Sequence, residues 1–139
     1  MTNERIARGY FQEAEGRLRY LDALLLDKRF ATVVREAQEV VELLLKAALR
    51  FVGIEPARTH DVSQIVRQNG GRFPDWFRAN IEELGRISTE LAADRGPSFY
   101  GDEARGIPPD ELFHEEDART ALERARFVFY DKAEFFAGV

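Results

Sequence analysis

Phe30-Ala-Thr-Val-Val-Arg-Glu-Ala-Gln-Glu-Val-Val-Glu-Leu-Leu-Leu-Lys-Ala-Ala-Leu-Arg-Phe-Val52 is the stretch that decides the fold class. Phe30, Val34, Ala37, Val41, Leu44, Leu45, Ala48 and Val52 recur at steps of three and four, the single-face period of a helix. Gly53 is a natural stop, and Pro56 opposes continuation. Beside the apolar stripe runs a polar one of Arg35, Gln38, Glu42 and Lys46 at the same steps.

The same period extends outward in both directions. Upstream, Ile6, Tyr10, Ala14, Leu18, Leu21 and Leu25 predict one helix, with Thr2 or Asn3 as its cap and Glu4 in its first turn. A break is expected near Asp27 to Arg29. Downstream, Asp61-Val-Ser-Gln64 has capping-box spacing and opens a short helix that ends before Asn69-Gly70-Gly71. Pro74 suits the first position of a long helix carrying Trp76, Phe77, Ile81, Leu84, Ile87 and Leu91, with Gly85 as its weak point. Residues 96–113, with three of the five prolines, are expected to form a loop. The last helix opens on Glu115, Glu116 and Asp117 and faces inward through Ala118, Ala121, Leu122, Ala125, Val128, Phe129 and Phe136.

No alternating segment reads as a strand and no internal repeat is visible. Long helices joined by short turns imply antiparallel neighbours. The expectation is a single all-α domain over residues 1–139: an up-and-down helical bundle of four long helices plus one short helix.

Composition narrows the function classes. The 139 residues contain no cysteine, which removes disulfides, thiolate metal sites and thiol nucleophiles. Two histidines, His60 and His114, are too few for a His-rich metal site, so no metal or cofactor is expected. The net charge of −5 advertises no broad nucleic-acid face, although a local basic stripe survives that argument. The longest uncharged run, Gly96 to Gly101, is far short of the about 20 residues that span a bilayer. The polar start Met-Thr-Asn-Glu-Arg has no signal-peptide core, and a cytoplasmic location is expected.

Common catalytic motifs fail. Gly96 and Gly101 have P-loop spacing, but Asp102-Glu103 stand where Lys-Ser/Thr would be needed. Ser63, Ser88 and Ser98 lie in no nucleophile motif, and no His-Glu-x-x-His occurs.

The polar stripe has two readings. One is a solvated face with a Glu42–Lys46 pair worth about 0.2–0.5 kcal/mol. The other is a row of donors and acceptors lining a groove, with Arg35 and Lys46 turned to phosphate oxygens. His60 reads either as a ligand contact or as a structural histidine bonded to nearby backbone where the short helix begins. His114 reads as a cap or surface residue. Tyr100 reads as a loop anchor with a buried ring or as a ligand contact. Phe127, Phe129, Tyr130, Phe135 and Phe136 exceed what one helix face buries, which points either to self-association or to a helix wrapped on both sides.

Ala37-Gln38-Glu39-Val40-Val41-Glu42-Leu43-Leu44-Leu45-Lys46-Ala47 resembles the A-Q-x-x-x-E-x-x-x-K-A signature of prokaryotic HEPN-domain proteins. Gly53 through Pro56 and Thr59-His60-Asp61-Val62 are similar to the turn that follows it. Phe99-Tyr100-Gly101-Asp102-Glu103, Gly106-Ile107-Pro108-Pro109 and Glu116-Asp117-Ala118 resemble later segments in the same order. The resemblance implies a homodimeric helical bundle in the cytoplasm that acts around nucleotides, RNA or a nucleotidyltransferase partner, in toxin–antitoxin-like modules. Many relatives are ribonucleases with Arg-x(4–6)-His. Here the required positions hold Glu55, Ile54 and Gly53 before His60, and Pro109, Pro108 and Ile107 before His114. No catalytic residue is therefore assigned, and a binding protein is expected ahead of a ribonuclease with a nonstandard site or a purely structural dimeric module. Its nucleotide-binding candidates are Arg35, Gln38, Glu42 and Lys46, then His60 and Tyr100.

Overall fold

The computed structural model describes residues 2–137, and the side chains of residues 3–131. Four long helices make the bundle: α1 (Thr2–Arg19), α3 (Phe30–Phe51), α6 (Ile81–Tyr100) and α8 (Glu115–Ala137). Helix α3 is the central post. Its apolar face is broad enough to bury Val33, Val34, Val40, Val41, Leu44, Leu45 and Leu49, and it packs against α1, α6 and α8.

Cross-helix contacts fix the directions. Asn3 accepts from Arg50 while Arg17 pairs with Glu36, so α1 and α3 are antiparallel. Arg95 meets Gln38, and Ser88 lies farther along with Asp61, so α6 reverses again. Arg124 pairs with Glu90 and Asn80 donates to Asp131, which makes α8 antiparallel to α6. The up-and-down order follows. Among the described residues there is no strand, only an isolated bridge between Asp102 and Ile107.

Short helices are more numerous than the one expected: α2 (Leu21–Leu26), α4 (Ser63–Gln68), α5 (Asp75–Arg78) and α7 (Pro109–Leu112), with a 3-10 turn at Gly70–Arg72. The first predicted helix is split at Tyr20, whose N–H bonds back to Arg17 O in a tighter turn. The split leaves Leu21 in the core and Leu26 exposed. Pro74 takes the cap position of α5 rather than opening a long helix. Asn80 turns the chain there, because its side-chain amide is held by Trp76 O and Asp131 Oδ1. Only half of the capping box forms. Asp61 Oδ1 accepts the Ser63 N–H at 2.9 Å, but the residue flanking α4 is Val62 and Gln64 is exposed.

The expected loop over residues 96–113 is half helical. Helix α6 continues through Pro97 to Tyr100. A proline there lacks one helical N–H in the last turn, where the ladder is ending anyway, and Ser98 Oγ donates to Arg95 O at 2.7 Å. Gly101 stops the helix at φ 74°, ψ −156°. A Cβ at that position would lie 2.0 Å from Ile107 O, so only glycine fits. Paired backbone bonds between Asp102 and Ile107 close the following turn, and Pro109 opens α7.

Candidate functional site

The polar stripe of α3 does not act as one surface. Its lower part is folded into a seam between α3, α6 and the segment before α4. Gln38 is 2% exposed and donates from Nε2 to Glu42 Oε1 at 2.9 Å. Lys46 Nζ donates to Glu42 Oε2 at 2.8 Å. His60 Nδ1 lies 2.8 Å from Glu42 Oε1. Arg95, from α6, donates to Gln38 Oε1 at 2.6 Å and also pairs with Glu39. The expected Glu42–Lys46 pair forms, but within a shared, mostly buried network rather than on a solvated face, with the Glu42 side chain 13% exposed.

Burial alone would raise the Glu42 carboxyl above its ordinary range. Hydrogen bonds from Lys46, Gln38 and His60 together overcome this and hold it below. An ionised carboxylate only accepts, so His60 donates from Nδ1 to Glu42. His60 is therefore tied to a side chain on α3 rather than to nearby backbone, and its side chain remains 56% exposed. Asp61 beside it is handled in the same way. Burial raises its carboxyl, while bonds from Ser63, Thr89 and Ser88 lower it further and win.

Arg35 behaves differently. Three residues before Gln38, its guanidinium lies 4.4 Å from the Phe99 ring centroid in a cation–π contact. It has no hydrogen bond or ion pair among the described residues, whereas Arg95, over the same ring at 5.4 Å, is held by Gln38 and Glu39. Arg35 and Phe99 line an open cleft of about 610 Å³ between the α2–α3 turn, the start of α3, the end of α6 and Pro109. Lys28, with φ 59°, and Arg29 stand at its lip together with Asp27 and Asp110. Phe30, Ala31 and Thr32 form the first turn of α3, and Arg29 before them provides no side-chain cap.

Tyr100 is not a buried anchor. It ends α6 with 68% of its surface exposed, its ring 5.8 Å from that of Phe99. A tyrosine in a loop would need burial to hold the loop, but here the helix supplies the order. His114 is set apart; its backbone N–H donates to Asp117 Oδ2 at 2.8 Å and its ring is exposed. Phe129 stacks on Phe11 at 5.4 Å, while Phe127 and Tyr130 are exposed; the side chains of Phe135 and Phe136 lie outside the described residues.

The match of the HEPN domain family model runs over residues 7–134. This chain belongs to the HEPN-domain family. Comparison with curated proteins and with solved structures found no match.

For this HEPN domain the six sequence candidates thus divide into groups. Gln38, Glu42, Lys46 and His60 come together in the seam, Arg35 stands in the cleft, and Tyr100 neighbours Phe99 at the end of α6 without lining the cleft itself. Arg95, Phe99 and Lys28 were missed. Arg95 and Phe99 are four apart, and a helix extended through Pro97 would have set them on one face. Lys28 carries no signal, because its left-handed backbone follows from the turn between two helices. Among the described residues no helix is long and apolar enough to cross a membrane.

Proposed function

We propose that this HEPN-domain protein is a small homodimeric, cytoplasmic binding protein. It recognises a nucleotide, or a nucleotidyltransferase partner, as half of a two-component toxin–antitoxin-like module. The observation that carries the reading is Arg35: a guanidinium without a carboxylate, propped on an aromatic ring at the wall of an open cleft. Such a group offers a planar fork of donors to a phosphate at little ordering cost. The cleft volume lies within the range of about 300–1,000 Å³ usual for small-ligand sites.

The test is a thermal-shift panel of ATP, ADP, GTP, NAD and short RNA on the purified protein, with Arg35→Ala in parallel. A ligand at 100 times its Kd stabilises by about 2.7 kcal/mol and moves the midpoint by several degrees. A shift that disappears in the variant supports the cleft. Equal shifts in both proteins remove it, and silence across the panel transfers the reading to the protein partner.

A second reading, a ribonuclease with a nonstandard site, draws on His60, a half-exposed imidazole oriented by Glu42. A histidine so held is of the residue type most often used for general acid–base work. RNA cleavage abolished by His60→Ala is its expected signature, and cleavage retained in that variant would sink it.

A further inference from the structure

We infer that the Arg35 cleft is built for a single phosphate monoester, a nucleoside monophosphate or the 5′-phosphate end of an RNA, and not for a polyphosphate. The inference rests on the nucleotide reading of the same cleft and goes on to name its ligand class.

The charges around the cavity decide the size of the anion. Three cations line it, Lys28, Arg29 and Arg35, with two carboxylates, Asp27 and Asp110. Arg29 Nε is already paired with Asp27 Oδ2 at 3.1 Å. Arg95 is unavailable, since Gln38 and Glu39 hold it. Lys28 and Arg35 therefore remain, opposed only by Asp110. A phosphate monoester carries about −1.5 to −2 at neutral pH and matches two cations. A di- or triphosphate brings further negative charge into a cavity with no third free cation among the described residues and an aspartate already on its wall.

The shape agrees with this assignment. Arg35 lines the cleft from α3 and Lys28 from the turn before it, so the two cations stand on one cavity from different elements. The uncapped first turn of α3 adds neutral backbone donors on the same side. Beyond Phe99, the exposed ring of Tyr100 offers a face on which a base can stack. One end of the site is thus cationic and the other aromatic, the two ends of a mononucleotide.

The experiment is titration calorimetry of the full chain with AMP, ATP, adenosine and inorganic phosphate, each with and without magnesium. Two RNA oligomers of one sequence, 5′-phosphorylated and 5′-hydroxyl, complete the set. AMP is expected to bind about tenfold or more tighter than either ATP or adenosine. Arg35→Gln and the exposed Lys28→Gln are each expected to weaken AMP about tenfold, while Tyr100→Ala weakens AMP and leaves inorganic phosphate unchanged. The phosphorylated oligomer binding well above AMP assigns the RNA end as the source; equal binding assigns the free mononucleotide. ATP binding more tightly than AMP and lost in Arg35→Gln overturns the monoester inference and leaves the nucleotide reading standing. Absence of binding by every nucleotide and RNA removes both.

Discussion

The seam around Glu42 and the cleft around Arg35 stand on the same helix, about two turns apart, and they are opposite in design. In the seam each charged group faces a partner: Glu42 accepts from Gln38, Lys46 and His60, and Arg95 spans Gln38 and Glu39. In the cleft Arg35 rests on Phe99 and meets no carboxylate. The difference teaches that regular spacing along a helix sorts residues by face, not by role. A buried charge must be paired to be tolerated, whereas an uncompensated one at an open wall is held ready for something from outside.

The sharpest way to break the contrast is at Gly101, which ends the helix that carries Phe99. Gly101→Ala would force a side chain into a glycine-only backbone region and against Ile107 O. A loss of at least about 3 kcal/mol is expected in chemical denaturation. A loss below about 1 kcal/mol would mean that the cleft wall is loosely held.

Next in size is Glu42→Ala. It leaves Gln38, Lys46 and His60 without their common acceptor, and a loss of about 2–4 kcal/mol is expected. Arg35→Ala is the counterpart measurement: it removes one cation–π contact, about 0.5–1 kcal/mol, while abolishing ligand response. Equal losses from the two variants would erase the distinction between seam and cleft.

Acid should also separate parts of the molecule. Glu42 and Asp61 have folded-state carboxyls held below their ordinary values of 4.5 and 3.8. Their contribution is complete above those values and is lost as the pH falls through the lower, folded ones. Glu42→Gln is therefore expected to flatten the acid limb of a stability–pH profile. Asp94 has the opposite sign. Burial first, and then Asp117, raise it above 3.8, despite Arg124. The folded state holds its proton more tightly than the unfolded one, so its penalty grows as the pH rises past the ordinary value. Asp94→Asn should raise the melting midpoint at neutral pH, and the gain should vanish as the pH falls below 3.8. A gain that persists unchanged in acid would assign the effect to packing.

Much of the bundle was legible because its cause is local. The stripe from Phe30 to Val52 needs a helix to be a stripe at all, and the glycine after it is seen to end that helix at φ 86° with the Ile54 N–H bonded to Leu49 O. The failures share a different cause. Pro97 reads as a breaker, yet the helix runs through it because the turn from Gly101 to Ile107 and the α7 segment pack its end. Asn80 falls inside the single helix expected from Pro74 onward, yet it divides two helices through Asp131, fifty-one residues away. Arg35, Gln38, Glu42 and Lys46 were legible as residue types on one face with their partners hidden, whereas Tyr100, expected in a loop, ends a helix and is exposed.

Periodicity, punctuation and charge by themselves determined that this chain is a helical bundle with a central apolar post and a polar stripe beside it. The HEPN resemblance rested on short motifs in order along the chain, from Ala37–Ala47 within one helix to Glu116–Ala118, and each of them is local. Which part of the stripe is consumed and which part stays available was decided only when α6 came back antiparallel to α3. That packing set Arg95 against Gln38 and Phe99 under Arg35, and the connection before α4 brought His60 to Glu42. A side chain's type and face are properties of a few neighbouring residues. Its partner, and hence its protonation, burial and use, belongs to groups that only the tertiary fold brings within about 3 Å.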